Sequence, residues 1–196
     1  MLYPQLSTKR IILASKSPRR LELVRGLEIE PEVVIREVDE SFPDSVVGPE
    51  VAKHVTLKKA SAFNDILTDN DVLITGDTVV LLGDDVLEKP VDREEAIAML
   101  KRLSGATHTV ASGIAVTTLK GGTKCAVDTC EVTFSDLSDD MIKHYIDNYK
   151  PFDKAGSYGV QDLIGFVGVK SMKGSFYTVM GLPLHILHKM LSELKP

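Results

Sequence analysis

The chain has 196 residues, of which 43% are hydrophobic and 26% charged. That is the composition of an ordinary globular protein with enough length for one large domain or two lobes sharing a core. The 28 acids outnumber the 23 bases, for a formal charge of -5, which argues against bulk electrostatic binding of a nucleic acid polymer but leaves room for a small phosphorylated ligand on a local basic patch. No apolar run approaches membrane-spanning length, and the first ten residues lack the apolar core of a signal peptide, so a cytoplasmic protein with no membrane partner is expected.

Residues 10–14, Arg-Ile-Ile-Leu-Ala, read as a first strand. A polar stretch follows, Ser15-Lys-Ser-Pro-Arg-Arg20, and then Leu21, Val24 and Leu27 at helical spacing. Ser17 suits an N-cap and Pro18 the first helical position, so strand, loop and helix N-terminus meet here. Free backbone N–H groups and the positive end of the helix dipole favour an anion there, and Lys16, Arg19 and Arg20 add cations. Basic residues are otherwise mildly unfavourable at a helix start.

Residues 31–38 look like a second strand, ending in the acidic loop 39–44. Glu40 in that loop could ligate a hard cation or orient a basic side chain. A helix is predicted over 48–67, with Val51, Val55, Ala62 and Ile66 as its core stripe and Lys53, Lys58 and Lys59 elsewhere on the wheel.

Residues 71–82 form a β-rich apolar run with Asp77 set into its middle. A carboxylate flanked by Ile74, Val79 and Val80 loses hydration if the run is buried, which calls for a metal ion, a cationic side chain or access to water. Gly76 permits close approach by backbone or ligand. The alternative is a turn acid between two strands. Gly83-Asp-Asp85 is a turn, so 77–82 and 86–88 are expected to pair, placing Lys89 at a strand end. Asp92 should cap a helix that stops near Ser104-Gly105.

The β-branched run 106–119 and the run 125–135 make a long hairpin about the turn 120–124. His108 falls within it and reads as a satisfied sheet residue. Cys125 and Cys130 lie on opposite faces of a strand and are expected as free thiols. Ser138 or Asp139 caps a helix through Ile146, after which 149–162 reads as a shaped loop with Asp153, Lys154, Ser157, Tyr158 and Gln161 as its donors and acceptors. The Gln161 amide could read a base edge. Residues 166–170 are expected as a strand and 174–194 as helix broken at Gly181-Leu-Pro183. His185 and His188 are three apart, but no third ligand accompanies them.

Strands and helices alternate through the first half, and a hairpin, a helix and a mixed tail follow, which predicts an α/β fold with a mixed sheet. Ligands in such folds sit at strand ends. A basic anion grip, an acid in an apolar strand and a polar Gly-rich loop together fit phosphate-ester chemistry on a nucleotide.

These residues resemble the signatures of the Maf family of nucleoside triphosphate pyrophosphatases. The matching motifs are Ala14-Ser-Lys-Ser-Pro-Arg-Arg20, Gly76-Asp-Thr-Val-Val80, Glu88-Lys-Pro90, Leu103-Ser-Gly105 with His108, Asp153-Lys-Ala-Gly-Ser-Tyr-Gly-Val-Gln161 and Gly181-Leu-Pro183. They stand in family order along nearly the whole chain, as one Maf-like pyrophosphatase domain over 1–196. Gly76-Asp-Thr78 with the Gly-Val-Gln161 ending looks like the branch acting on dTTP and UTP.

The resemblance implies an elongated mixed β-sheet flanked by helices, two lobes around a cleft (Maf/ITPase-like), commonly a homodimer. It implies hydrolysis of a nucleoside triphosphate to the monophosphate and pyrophosphate with a divalent metal cation, Mg²⁺ or Mn²⁺. Asp77 matches the family's proton acceptor. Arg19, Thr78 and Gln161 match positions that set substrate preference, and Ser15, Arg20, Glu40, Lys59, Lys89 and Asp153 match other polar site positions. Glu40 and Asp77 are the expected metal ligands. Two alternatives are a non-enzymatic nucleotide-binding regulator of cell division and a house-cleaning pyrophosphatase for modified purine nucleotides.

Overall fold

In a computed structural model, which describes residues 2–195, the strands join one mixed sheet. Its order is β2 (Glu32–Val33), β1 (Arg10–Leu13), β3 (Asp71–Leu82), β5 (Thr107–Thr118), β6 (Gly122–Phe134) and β7 (Val169–Lys173), while β4 (Asp85–Leu87) also pairs with β3. β1 runs parallel to both β2 and β3, whereas β3–β4 and β6–β7 are antiparallel. Thr117 faces Thr123 and Thr107 faces Thr133, each hydroxyl pair 2.9 Å apart, so β5 and β6 run in opposite directions about their turn. The mixed α/β class expected from the sequence is the class found. No helix among the described residues is long and apolar enough to cross a membrane.

The helices are α1 (Pro18–Arg25), α2 (Glu50–Ser61), α3 (Arg93–Leu103), α4 (Asp139–Tyr149), α5 (Leu163–Gly168), α6 (Phe176–Met180) and α7 (Leu184–Ser192). Three begin on side-chain caps, two of them read in the sequence and the third, Ser138, one of the two candidates there. Ser17 accepts from the Arg20 N–H, Asp92 from the Glu95 N–H and Ser138 from the Met141 N–H. Such caps satisfy donors that the helix itself cannot pair.

Four expectations need correcting. The second strand is two residues long, not eight, because beyond Val33 only the Val34 N–H still pairs with β1, through the Leu13 carbonyl. The helix expected over 48–67 ends at Ser61. Turn bonds from Phe63 to Ala60 and from Ile66 to Phe63 then bend the chain, so Phe63 is buried in place of Ile66, which is exposed. The strand expected over 166–170 is instead the end of α5 and the start of β7. Asp162 takes the extended N-cap conformation there, and Ile164 and Gly165 turn inward while Phe166 faces solvent. His108 is only half satisfied, since its buried Nδ1 has no partner.

Two compact units can be described. The first gathers the described parts of Met1–Asp77 and Gly181–Pro196 together with Ser112–Asp128. Ile12, Phe63, Leu67 and Leu73 form a dry cluster there, with Ala14, Val34 and Ala62 against it. The second gathers Thr78–Ala111 and Thr129–Met180. In it His108, Phe134 and Tyr158 stack edge to face, with ring centroids 4.9–5.4 Å apart. Such pairs add about 0.5–1.5 kcal/mol each beyond the area they bury.

Candidate active site

In the first unit, α2 is fixed against β3 by small and hydroxyl residues. Gly113 lies so close to α2 that a β-carbon there would stand 2.6 Å from the Ala52 carbonyl oxygen and 2.4 Å from the Thr56 hydroxyl. The Thr75 hydroxyl donates to the Thr56 carbonyl at 3.2 Å. Thr56 and Lys59 share a helix face, and Thr75 and Asp77 share a strand face. The register set by the threonines therefore carries Lys59 to Asp77. The Lys59 ammonium donates to Asp77 Oδ1 at 2.7 Å and lies 2.9 Å from Glu40 Oε1.

Asp77 sits in unbroken β3, not in a turn, and is 9% exposed. Its neighbour Gly76 leaves room for backbone, since a β-carbon there would stand 2.9 Å from the Gly113 carbonyl oxygen. Arg20 is the second cation beside this acid. Its Nε donates to the Gly181 carbonyl at 2.8 Å, and its Nη1 lies 3.5 Å from the Ser15 hydroxyl. Burial pulls the Arg20 pKa below its usual value, the Asp77 and Glu40 carboxylates oppose that, and the neighbouring Arg19 guanidinium adds to it. The Ser15 hydroxyl also accepts from the Ser17 N–H at 3.1 Å, which folds the loop into α1. Ser15, Arg20, Glu40, Lys59 and Asp77, far apart in sequence, thus converge, with Arg19 alongside.

The loop bearing Glu40 is anchored on both sides of it. Asp39 accepts from the Ser41 N–H at 3.0 Å and from its hydroxyl at 2.6 Å. Lys58 closes over both, donating to Asp39 at 3.2 Å and to the Ser41 carbonyl at 2.8 Å. The Ser41 hydroxyl above all, then its N–H and the Lys58 ammonium, hold the Asp39 pKa at about 2. The sequence places Lys58 only off the core stripe of its helix. Its partners lie some twenty residues upstream, and no local pattern announces them.

In the second unit, the loop after α4 is pinned by a different chemistry. The Gly156 N–H donates to the Glu88 carbonyl at 3.1 Å, which brings this loop against the Glu88-Lys89-Pro90 segment. Gly156 has a positive φ of 67°, and Ser157, with a side chain, has 61°. A non-glycine residue held in that region is uncommon and marks a shape imposed by its surroundings. The Ser157 hydroxyl meets Met99 Sδ at 3.1 Å. Tyr158 Oη lies 2.8 Å from His108 Nε2. Tyr145 donates to Asp162 Oδ2 at 2.8 Å and accepts the Gly159 N–H at 3.0 Å. The Lys154 ammonium lies 2.8 Å from Asp153 and 3.8 Å from Asp162.

These bonds set Gln161 half-buried on the loop and Asp153 exposed at its start. Lys89 is exposed just beyond β4, and Thr78 is half-buried on β3. Tyr145 and Asp162, which fasten the loop, were not singled out by sequence; Tyr145 reads as one more apolar-face residue of α4, and only the Gly159 spacing hints at a tight approach.

His185 lies 3.8 Å from Asp128, and His188 is hydrogen-bonded to Tyr3; both histidines are exposed on α7. Cys125 and Cys130 are free thiols. Among the described residues no three His, Cys, Asp or Glu side chains are grouped to hold a metal ion. The donor set that fits one is the Glu40–Asp77 pair, whose oxygens already converge on a single cationic nitrogen. A pair suffices for Mg²⁺, which keeps several waters and takes one or two carboxylates together with substrate phosphates.

A parallel strand running into a helix N-terminus with a half-buried arginine, beside an acid held by lysine, is an α/β arrangement that gathers cations at a strand end. The chain belongs to the Maf family: the family described as Maf-like protein matches residues 10–194. It is 45% identical over 190 residues to a dTTP/UTP pyrophosphatase of Bacteroides fragilis (strain YCH46), covering 96% of this chain and 98% of that one. A dTTP/UTP pyrophosphatase of Flavobacterium psychrophilum is 45% identical over 183 residues, 93% of each chain. Among solved structures, the Staphylococcus aureus Ham1 protein aligns with a TM-score of 0.45 and 16% identity, over 67% of this chain and 73% of that one.

Proposed function

We propose that this protein hydrolyses dTTP and UTP to the monophosphate and pyrophosphate. The observation that carries the reading is the buried Asp77, clamped by Lys59 and flanked by Arg20, in a chain alike over nearly its full length to proteins named for that activity. Asp77 accepts the proton of the water that attacks the α-phosphorus. A positioned general base of this kind contributes typically 10²–10⁴-fold in rate. Arg20 and Arg19 face the negative charge that gathers on the phosphoryl oxygens and the departing pyrophosphate, the largest electrostatic demand of such a reaction. The Ser15 hydroxyl and the N–H groups opening α1 hold phosphate oxygens.

A divalent cation on Glu40 and Asp77 would supply further charge neutralisation of the triphosphate. Thr78, Lys89, Asp153 and Gln161 are assigned to substrate binding. The Gln161 amide presents a donor and an acceptor, as a pyrimidine edge requires.

Pyrophosphate release measured across dTTP, UTP, dCTP, dATP, GTP and ITP, with and without Mg²⁺, tests the reading. Release from dTTP and UTP above the others, lost when Mg²⁺ is withheld, is the expected result. Binding without release would assign a nucleotide-binding regulator instead, and preference for ITP a purine house-cleaning enzyme.

A further inference from the structure

The structure assigns Lys59 a role beyond contact with substrate: we propose that its ammonium and the divalent cation are mutually exclusive occupants of the space between Glu40 and Asp77. This rests on the metal-dependent reading above. Lys59 Nζ stands 2.7 Å from Asp77 Oδ1 and 2.9 Å from Glu40 Oε1. A Mg²⁺ or Mn²⁺ ion bound to the same oxygens would fill the same volume and carry charge of the same sign. One of the two must leave.

The charge balance of the cluster says when. Glu40 and Asp77 contribute two negative charges, and Lys59 and Arg20 contribute two positive ones. The cluster has no net negative charge to draw in a dication, and Arg19 beside Arg20 opposes one further. A triphosphate supplies what is missing. With a nucleotide bound, the Lys59 ammonium would pass from the carboxylates to the phosphates, leaving Glu40 and Asp77 to hold a cation carried by the nucleotide. Free metal binds poorly, so the site stays closed to ions that arrive without substrate.

The backbone at Glu40 does not depend on Lys59 for its place. The Asp39–Ser41–Lys58 clasp holds the residues on either side of it. Asp77 is fixed by β3. Removing the Lys59 charge should leave two positioned carboxylates with one fewer competitor.

The test is Mn²⁺ binding to the full chain without nucleotide, read from the loss of the free-ion electron paramagnetic resonance signal. Lys59→Met should bind Mn²⁺ at least about tenfold more tightly than the wild type, since a like charge a few ångströms away is removed. Lys59→Gln, which keeps a donor without the charge, should do the same and serves if the Met variant does not fold. Lys59→Arg should bind as weakly as the wild type. Adding Asp77→Asn to Lys59→Met should abolish the gain.

Unchanged or weaker binding in both neutral variants overturns the proposal. So does an equal gain in Lys53→Met, a surface lysine of α2 paired with Glu50, which would reveal a general effect of surface charge. The titration contains no substrate. A gain in Lys59→Met alongside a wild type that releases no pyrophosphate would therefore sink the functional reading while leaving the exclusion intact.

Discussion

The two units hold their candidate site residues by opposite means. In the first, four charged groups, Arg20, Glu40, Lys59 and Asp77, neutralise one another at short range, and each helps to set the electrostatic surroundings of the rest. In the second, the loop from Asp153 to Asp162 is fastened chiefly by Tyr145, Tyr158, His108 and backbone N–H groups. Burial raises the Tyr158 pKa and lowers that of His108 to about 4, so both stay neutral at pH 7. A charge cluster is suited to stabilising charge that moves during a reaction. A loop pinned by neutral bonds is suited to holding a shape. The contrast predicts that damage to the first region falls on turnover and damage to the second on stability and selectivity.

The largest effect should come from Asp77→Asn. It preserves shape but removes the proton acceptor and one charge of the cluster, and turnover of dTTP at saturating Mg²⁺ should fall by about 10²–10⁴-fold. Turnover within tenfold of the wild type would break the division between the regions.

Next is the pH response of the second unit. The folded-state pKa of His108, about 4, lies below the ordinary 6.5, and desolvation is the cause. The unfolded chain therefore binds the extra proton first. The stabilisation is complete above pH 6.5 and is lost as pH falls toward 4, by on the order of 3 kcal/mol. Urea unfolding at pH 7 and pH 4.5 should show a loss that His108→Phe largely removes. An equal loss in the variant would mean that another group titrates.

Tyr145→Phe should cost less. It leaves the Gly159 N–H and the Asp162 carboxylate without their shared hydroxyl, a loss of about 1–3 kcal/mol. Thermal unfolding reads this, and the dTTP-to-dCTP ratio of kcat/KM should narrow in the same variant. The smallest change in stability belongs to Gln161→Ala, within about 0.5 kcal/mol. Its effect should be confined to the ranking of bases, and an equal loss for every nucleotide would count against a reading role for that amide.

What the sequence reveals follows the range of the interactions. Ser17, Asp92 and Ser138 cap helices through bonds three residues long; the first two are legible, and the third is one of two neighbouring candidates. Asp77 stands out because an acid in the middle of an apolar run demands compensation. That Lys59 supplies it is invisible locally: eighteen residues separate the two, and their meeting depends on Thr56, Thr75 and Gly113 setting the helix against the sheet. The family resemblance places Lys59 at the site without saying what it touches. Helix ends fail for the same reason. Phe63 rather than Ile66 fills the core because the chain turns after Ser61, and the periodicity through 66 contains no sign of that turn. Lys58, Tyr145 and Asp162 carry no signature of their own, since their work is to hold other residues.

The most direct measurement is hydrolysis of dTTP in H₂¹⁸O, with the products resolved by mass spectrometry. The account predicts one ¹⁸O atom in the thymidine monophosphate and none in the pyrophosphate, as water attack at the α-phosphorus requires. Label in the pyrophosphate, or in orthophosphate released alongside the diphosphate, would contradict it.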